Sequence, residues 1–213
     1  MRTLYLPAAL AAAALVLSAC DTNDPTDDGL SATIRVTSIA ADTTTGRSST
    51  TGQPISTGRF TLYSLRENKV VLDFSNPNRA DSATTKWDIG FRGATIIVNG
   101  GSRGPGQGAS AVVTSPFEAL VAAPDTGFVS TGTVKFNAGS SSIASVWTYT
   151  PATNLVTPTP GRTLVVKTAD GKYAKIKLIS YYKGNPATPS SSIKDRFYTF
   201  DYVVQTDGTK SFE

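Results

Sequence analysis

The chain has 213 residues, 39% of them hydrophobic and 17% charged, with 18 Gly and 12 Pro, a composition typical of one turn-rich β domain rather than of a helical bundle. The net charge is +4, falls to +3 without Arg2, and includes no long basic run, which argues against nucleic-acid binding. Histidine is absent and Cys occurs once, which excludes an intrachain disulfide and a Ser-His-Asp or Cys-His catalytic group and makes a structural zinc site unexpected.

Residues 1–19 are predicted to be a lipoprotein signal peptide. Arg2 supplies the positive start, and the alanine-rich apolar stretch at 4–16 is too short to predict a membrane span. Leu17-Ser18-Ala19-Cys20 then fits the bacterial lipobox pattern. We expect Cys20 to be lipidated and to anchor the mature chain, because two or three acyl chains suffice for stable membrane attachment. The alternative is an ordinary secretory signal that happens to contain a cysteine.

Residues 20–31 are predicted to be the lipidated cysteine followed by an acidic, flexible tether. Four aspartates occur between positions 21 and 28, and the segment has almost nothing apolar to bury. Two interpretations remain open: the acidic stretch is a surface-export signal, or it is a soluble spacer. The anchored chain is expected in the outer membrane, at the cell surface or on the periplasmic face.

Residues 32–213 are predicted to form a single all-β domain, an antiparallel sandwich or open barrel, because short alternating segments are separated by turn residues. Polar or glycine-rich connections are expected at 42–58, 75–85 and 102–110, and one short helical turn near Phe117–Leu120. The strands are expected at Ala32–Ile39, Arg59–Leu65, Lys69–Phe74, Lys86–Arg92, Ala94–Val98, Thr163–Thr168, Tyr173–Tyr182 and Arg196–Thr206.

The last two predicted strands alternate most clearly. Asp170-Gly171 is a hairpin signal before the first of them. That strand is expected to place Ala174, Ile176 and Leu178 on one face and Lys175 and Lys177 on the other. The final strand is expected to place one row on a single side: Tyr198, Phe200, Tyr202 and Val204.

The sequence offers little catalytic chemistry. The glycine run at 101–108 is not followed by the Lys-Ser/Thr pair of a phosphate-binding loop, so it is interpreted as a structural connection. Asp73, Asp88 and Asp201 are candidates for a glycosidase-type carboxylate pair, but such residues commonly cap turns or pair with arginine. The chain is therefore not expected to be an enzyme.

Three aromatic side chains are candidates for a stacking surface that would bind a flat ligand or a sugar. Core packing is the favoured interpretation for Trp87. For Trp147 and Tyr149, core packing and ligand contact remain equally open, because both residues lie beside the proline-rich segment 151–160.

Several motifs resemble those of the HmuY family, the haem-binding surface lipoproteins of Bacteroidetes-type bacteria. The segment KWDIGFRGATIIVNGGSRGPGQGA at 86–109 carries the strongest likeness. It continues at 60–65 (FTLYSL), 146–151 (VWTYTP), 168–184 (TADGKYAKIKLISYYKG) and 197–209 (FYTFDYVVQTDGT). The resemblance implies an all-β fold, capture of haem outside the outer membrane, and transfer of haem to a TonB-dependent receptor.

The same resemblance raises a difficulty about iron ligation. Relatives hold haem iron through histidine or methionine, whereas here Asn154 stands where relatives often carry histidine, and the second ligand would fall in the connection 132–145. Among common haem ligands the mature chain retains only tyrosine. The resemblance therefore implies a ligand-binding set of Trp147, Tyr149 and Asn154, with Tyr149 as the metal ligand. Tyr181 and Tyr182 are secondary candidates.

Three hypotheses follow from this departure. The first is a tetrapyrrole-binding lipoprotein with a tyrosine axial ligand or none, in which apolar enclosure and contacts from Arg or Lys to the propionates hold the ring. The second is a module that keeps the fold, has lost haem ligation and recognises a receptor or a glycan. The third is a structural surface protein without a small ligand.

Overall fold

The computed structural model describes residues 32–130 and 146–213. The predicted signal peptide (1–19), the lipidation site Cys20, the acidic tether and the connection 132–145 lie outside the described residues. Within the described residues no helix has the length and apolar character needed to cross a membrane.

The described chain is an antiparallel sandwich, as predicted, built from a five-stranded sheet in the order β1-β13-β12-β11-β8 and a four-stranded sheet in the order β5-β4-β6-β7. Two small hairpins, β2–β3 and β9–β10, flank these sheets. The strands are β1 (Ile34–Ala40), β2 (Gly46–Arg47), β3 (Pro54–Ile55), β4 (Thr61–Ser64), β5 (Lys69–Leu72), β6 (Ile89–Arg92), β7 (Thr95–Val98), β8 (Ala109–Val113), β9 (Trp147–Thr150), β10 (Leu155–Pro158), β11 (Thr163–Lys167), β12 (Tyr173–Tyr182) and β13 (Asp195–Gln205). Short 3₁₀ helices occur at Ala80–Ala83 and Phe117–Ala119, the second where a helical turn is predicted.

The core lies between the two sheets and is rich in aromatic rings. Tyr198, Phe200 and Tyr202 on β13 are fully buried, as their alternation predicts. Phe91 of the opposite sheet packs against two of them, with ring centroids 4.4 Å from Tyr198 and 5.6 Å from Phe200. Such contacts join the sheets through large apolar surfaces, which is the main stabilising term in a sandwich of this size.

The structure contains strands that the sequence-based expectations do not include. Strand β8 begins inside the segment 102–110 predicted to be irregular, and it is held by pairing with β11. Strand β10 lies in the proline-rich segment 151–160, and the predicted surface loop 42–58 contains the β2–β3 pair. These strands have weak local signals because they are short and their alternation is poor, so the partner strand decides their conformation.

Lys175 lies, as predicted, on the face of β12 opposite Ala174, Ile176 and Leu178, yet it is only 7% exposed. The 3₁₀ segment at Phe117–Ala119 covers it, and its ammonium group donates to the carbonyls of Phe117 (3.1 Å) and Leu120 (2.9 Å). Desolvation lowers the pKa of Lys175. A lysine can be buried here because backbone oxygens replace the water that it loses.

Candidate functional site

The resemblance motifs meet at one buried carboxylate, Asp88, which is fully inaccessible to solvent. Asp88 accepts hydrogen bonds from the backbone N–H of Leu65 and of Ala169, both at 2.9 Å, and from Arg66 Nε at 3.0 Å. Leu65 follows β4, whereas Ala169 lies in the β11–β12 turn. Asp88 therefore ties the two sheets together, and its contacts are structural.

The glycine run is held by a second motif residue, Asn99, which is also fully buried. Its side-chain amide nitrogen donates to the carbonyls of Thr84 and Trp87, both at 2.8 Å, and its Oδ1 accepts from Gly106 N at 3.0 Å. A Cβ atom at Gly106 would lie 2.7 Å from the Asn99 carbonyl oxygen. The run is rich in glycine because the loop packs directly on Asn99, in agreement with the structural interpretation.

The other two candidate carboxylates are engaged in local contacts. Asp201 receives two hydrogen bonds of 2.7 Å from Arg35, and Asp73 accepts from Ser75 N at 2.8 Å and from the Ser75 hydroxyl at 2.7 Å. These are the arginine pairing and turn capping that the sequence analysis names as the usual roles of such residues.

A cavity of about 450 Å³ lies at the end of the sandwich where β12 turns into β13, and we name it the tyrosine cavity. It is bordered by the β9–β10 and β2–β3 hairpins and by the connection that precedes β13. Its lining includes Tyr149, Asn154, Tyr181, Tyr182, Arg47, Lys194, Asp195 and Arg196. The volume falls in the range of small-molecule sites, about 300–1,000 Å³.

Irregular pairing at the end of β12 explains why two consecutive tyrosines line this cavity. Adjacent side chains of a regular strand point to opposite faces. The β12–β13 register shifts between Leu178 and Ser180 and again between Ser180 and Tyr182, and such irregularities re-aim side chains. Both Tyr181 and Tyr182 therefore line one cavity.

Two of the three predicted ligand-contact residues lie in the tyrosine cavity, close to each other. Tyr149 on β9 and Asn154 in the β9–β10 turn are linked by a 2.7 Å hydrogen bond from the phenol to Asn154 Oδ1. Asn154 has φ 56°, a left-handed conformation that asparagine tolerates. The phenol is thus held at a cavity wall by a neutral acceptor.

The third predicted residue, Trp147, lies in the core and is 1% exposed. Its ring contacts Tyr181 with centroids 5.5 Å apart and Tyr198 with centroids 5.4 Å apart. Trp147 therefore supports a cavity-lining tyrosine rather than lining the cavity. Trp87, for which core packing was the favoured interpretation, is also 1% exposed.

Burial makes Tyr181 and Tyr182, the secondary ligand candidates, harder to ionise. Desolvation raises the pKa of Tyr181 and of Tyr182, and Tyr182 accepts a 2.9 Å hydrogen bond from Val156 N. A raised pKa disfavours the phenolate form that binds iron. Tyr149 is half-buried, and its phenol is the most accessible of the three.

Cationic side chains at the cavity were missed by the sequence analysis. Arg47, Lys194 and Arg196 line the tyrosine cavity together with one carboxylate, Asp195. Arg196 donates to the Asp42 carbonyl at 3.0 Å and has φ 62°. The consecutive charges at 194–196, where β13 begins, were the available signal. Two net positive charges make the cavity suited to an anionic ligand.

Within residues 32–130 and 146–213 no group of three or more His, Cys, Asp or Glu side chains is arranged to hold a metal ion. The donor set of the tyrosine cavity is phenolic instead. This set of side chains fits a haem group: one phenolate oxygen could hold the iron, and the cationic side chains could pair with the propionates.

Comparisons with known proteins place the chain in a family context. The sequence model of the HmuY protein family matches residues 56–202, more than two thirds of the chain. No curated protein matches the sequence.

Similar solved structures include the apo HmuY analog of Tannerella forsythia, with 17% identity, a TM-score of 0.46, and coverage of 84% of this chain and 99% of that chain. A candidate HmuY-like haem-binding protein of Bacteroides vulgatus shows 17% identity, a TM-score of 0.45, and coverage of 82% and 91%. A candidate lipoprotein of Bacteroides fragilis shows 14% identity, a TM-score of 0.41, and coverage of 83% and 90%.

Proposed function

Because the chain belongs to the HmuY family, we propose that its β domain binds haem or a related tetrapyrrole for uptake, in the tyrosine cavity. The observation that carries this proposal is the meeting of three tyrosines and three cationic side chains around one cavity of about 450 Å³. A tetrapyrrole needs an apolar or aromatic wall for its ring and positive groups for its propionates, and this cavity supplies both.

Tyr149 is the proposed axial ligand. Haem iron accepts phenolate oxygen, and Tyr149 is the cavity tyrosine whose hydroxyl is not held by deep burial. Asn154 accepts the hydrogen bond of the Tyr149 phenol, so it orients that oxygen. Tyr149 would hold the iron through its phenolate oxygen, beside Asn154 at the cavity wall.

Arg47, Lys194 and Arg196 are proposed to contact the propionates. Charge-assisted hydrogen bonds from guanidinium or ammonium groups to carboxylates are about twice as strong as neutral ones. Arg47 lies on β2, Lys194 directly precedes β13 and Arg196 lies on β13, so the ligand would bridge elements that are distant in sequence.

The cellular setting is also part of the proposal. Cys20 is proposed to carry the lipid that anchors the chain in the outer membrane, facing the cell surface or the periplasm, and the chain is proposed to deliver its ligand to a TonB-dependent receptor. The lipobox at 17–20 supports the anchor. A non-enzymatic carrier role agrees with the carboxylates of Asp73, Asp88 and Asp201, which are all occupied by hydrogen bonds within the protein.

Haem titration of the mature chain, produced without lipid, tests the proposal. Wild type should give a saturable Soret shift at micromolar haem, and Tyr149→Phe should change the spectrum because the oxygen donor is removed. Tyr173→Phe is the matched control, since Tyr173 packs against Phe128 outside the cavity, and it should behave as wild type. Absence of any Soret shift in wild type would overturn haem binding. Identical spectra for wild type and Tyr149→Phe would overturn tyrosine ligation.

A second candidate is a HmuY-fold module that has lost haem and binds a receptor or a glycan. The complete lack of histidine, with Met1 as the single methionine, favours it. It predicts no spectral change with haem and co-purification with an outer-membrane receptor.

A further inference from the structure

A second cavity, of about 340 Å³, lies on the face of the four-stranded sheet that points away from the sandwich core. Tyr63 and Ile96 pack into the core, whereas their strand neighbours Leu62 and Ile97 belong to a separate apolar cluster with Trp87. Since successive strand residues face opposite sides, this cluster covers the outer face. We name the space the arginine cavity; its lining shares no residue with the tyrosine cavity.

The floor of the arginine cavity is apolar. Leu62, Trp87 and Ile97 are at most 4% exposed and line it together with the half-buried Phe60. The indole N–H of Trp87 donates to the Ser82 carbonyl at 3.1 Å. Its polar atom is thus already satisfied, and the ring offers carbon surface to the cavity.

Three guanidinium groups line the same space: Arg59, Arg79 and Arg103. Arg79 is fixed by donating to the carbonyls of Asp73 at 2.8 Å and Phe60 at 2.6 Å, and Arg59 donates to the Asn76 carbonyl at 3.5 Å. In the part of the chain that the structure describes, none of the three forms an ion pair with a carboxylate.

The three guanidinium charges at this cavity are therefore only partly offset by nearby carboxylate charge. Desolvation and, second, the charge of Arg59 lower the pKa of Arg79, and Asp73 opposes this only as a weaker influence. Cations gathered around an apolar recess repel each other and attract an anion whose body can fill the recess.

We propose that the arginine cavity is a second ligand site, which binds a small amphiphilic anion: a carboxylate attached to an apolar chain or ring. The guanidinium groups bind the carboxylate, and Phe60, Leu62, Trp87 and Ile97 bind the apolar part. The volume lies near the lower end of the range for small-molecule sites, so the ligand is smaller than a tetrapyrrole. This site is independent of the proposed haem site.

Calorimetric titration of the mature chain with decanoate tests the proposal, with decyltrimethylammonium and inorganic phosphate as comparison ligands. Decanoate should bind, the cation should not, and phosphate should bind more weakly because it lacks an apolar body. The double variant Arg59→Gln/Arg103→Gln should weaken decanoate binding by about tenfold or more, since a hydrogen bond to a charged group is worth about a factor of ten in affinity. Both residues are exposed at the surface.

The matched control is Arg35→Gln/Lys69→Gln, which removes the same charge from positions outside both cavities and should leave decanoate binding unchanged. Fluorescence of Trp87 in a Trp147→Phe chain gives a second readout, since Trp87 lines this cavity and should respond to decanoate. No heat with decanoate, equal binding of the cation, or unchanged affinity in the Arg59/Arg103 variant would each overturn the proposal. A Soret titration of the same variant that matches wild type would show that haem binding in the tyrosine cavity does not depend on Arg59 or Arg103.

Discussion

Asp88 shows how one side chain can hold the sandwich together without taking part in binding. Its carboxylate is buried and collects donors from a strand end, from Arg66 and from the β11–β12 turn. Buried charges are tolerated when they are paired and hydrogen-bonded, and they are costly when a partner is removed. At the residue scale the Trp87-Asp88 motif is therefore a stability element.

We predict that Asp88→Asn lowers the free energy of unfolding by about 2–4 kcal/mol, because the buried N–H donors and Arg66 lose their anionic acceptor. Urea unfolding of the mature chain measures this. Asp201→Asn is the control: it breaks the pair with Arg35, whose side chain is 58% exposed, and exposed pairs contribute about 1 kcal/mol or less. Equal losses in the two variants would contradict the role assigned to Asp88.

At the scale of a single element, the glycine loop between β7 and β8 shows that glycine content alone does not reveal the role of a loop. A glycine-rich run suggests a flexible or ligand-binding loop, but here the backbone packs on Asn99 at van der Waals distance. Asn99 cannot move away, because its amide makes three hydrogen bonds to backbone groups. Gly104, Gly106 and Gly108 are needed because no Cβ fits beside Asn99, whereas Gly101 has φ 55°, a left-handed conformation that favours glycine.

Gly104→Ala is expected to destabilise the protein by about 1–3 kcal/mol, the usual range for overpacking a close-packed site. A Cβ there would lie 2.9 Å from Asn99 Cγ and closer still to its Oδ1. Gly46→Ala is the control, since a Cβ at Gly46 meets nothing within 4 Å. The two midpoints of thermal unfolding should differ, and a Gly104→Ala protein as stable as Gly46→Ala would rule out close packing as the reason for this glycine.

At the scale of the whole molecule, tyrosine phenols are prominent among the buried ionisable groups, beside Asp42, Asp88 and Lys175. Desolvation raises the pKa of Tyr63 to about 12 and raises the pKa values of Tyr181, Tyr198 and Tyr202. The chain has no histidine, so no imidazole changes its charge near neutral pH. The buried phenols therefore change their ionisation under alkaline conditions and not in mild acid.

The raised tyrosine pKa values predict that the fold loses stability as the pH rises into the alkaline range. Tyrosines whose folded pKa lies above the unfolded value of about 10 stabilise the fold below that pH, and this contribution is lost as the pH rises through the folded pKa values. We expect the free energy of unfolding to vary little between about pH 6 and pH 9 and to fall steadily above about pH 10. Urea midpoints across this range, with tyrosinate absorbance followed in parallel, measure it. Tyrosinate formation by the buried rings before unfolding would contradict the prediction.

Local patterns predicted the parts of the fold that depend on neighbours in sequence. The hairpin at 170–171 and the alternation of β13 belong to this class. Tyr149 and Asn154 were selected through the family resemblance, and the structure links them by a hydrogen bond. The burial of Lys175 was not predicted, because the segment that covers it lies more than fifty residues earlier in the chain. No local pattern carries that information.

The sequence by itself determined the all-β class and the shortage of iron-binding side chains, because each depends on residue type or on short-range order. For the same reason it predicts, without deciding, a lipid anchor at Cys20. Only the tertiary structure decided that Arg47 and Arg196 meet the tyrosines in one cavity, that Trp147 lies behind that cavity, and that Asp88 joins two sheets. These contacts arise when antiparallel strands bring distant segments together, and strand pairing across long loops is set by the packing of the whole core.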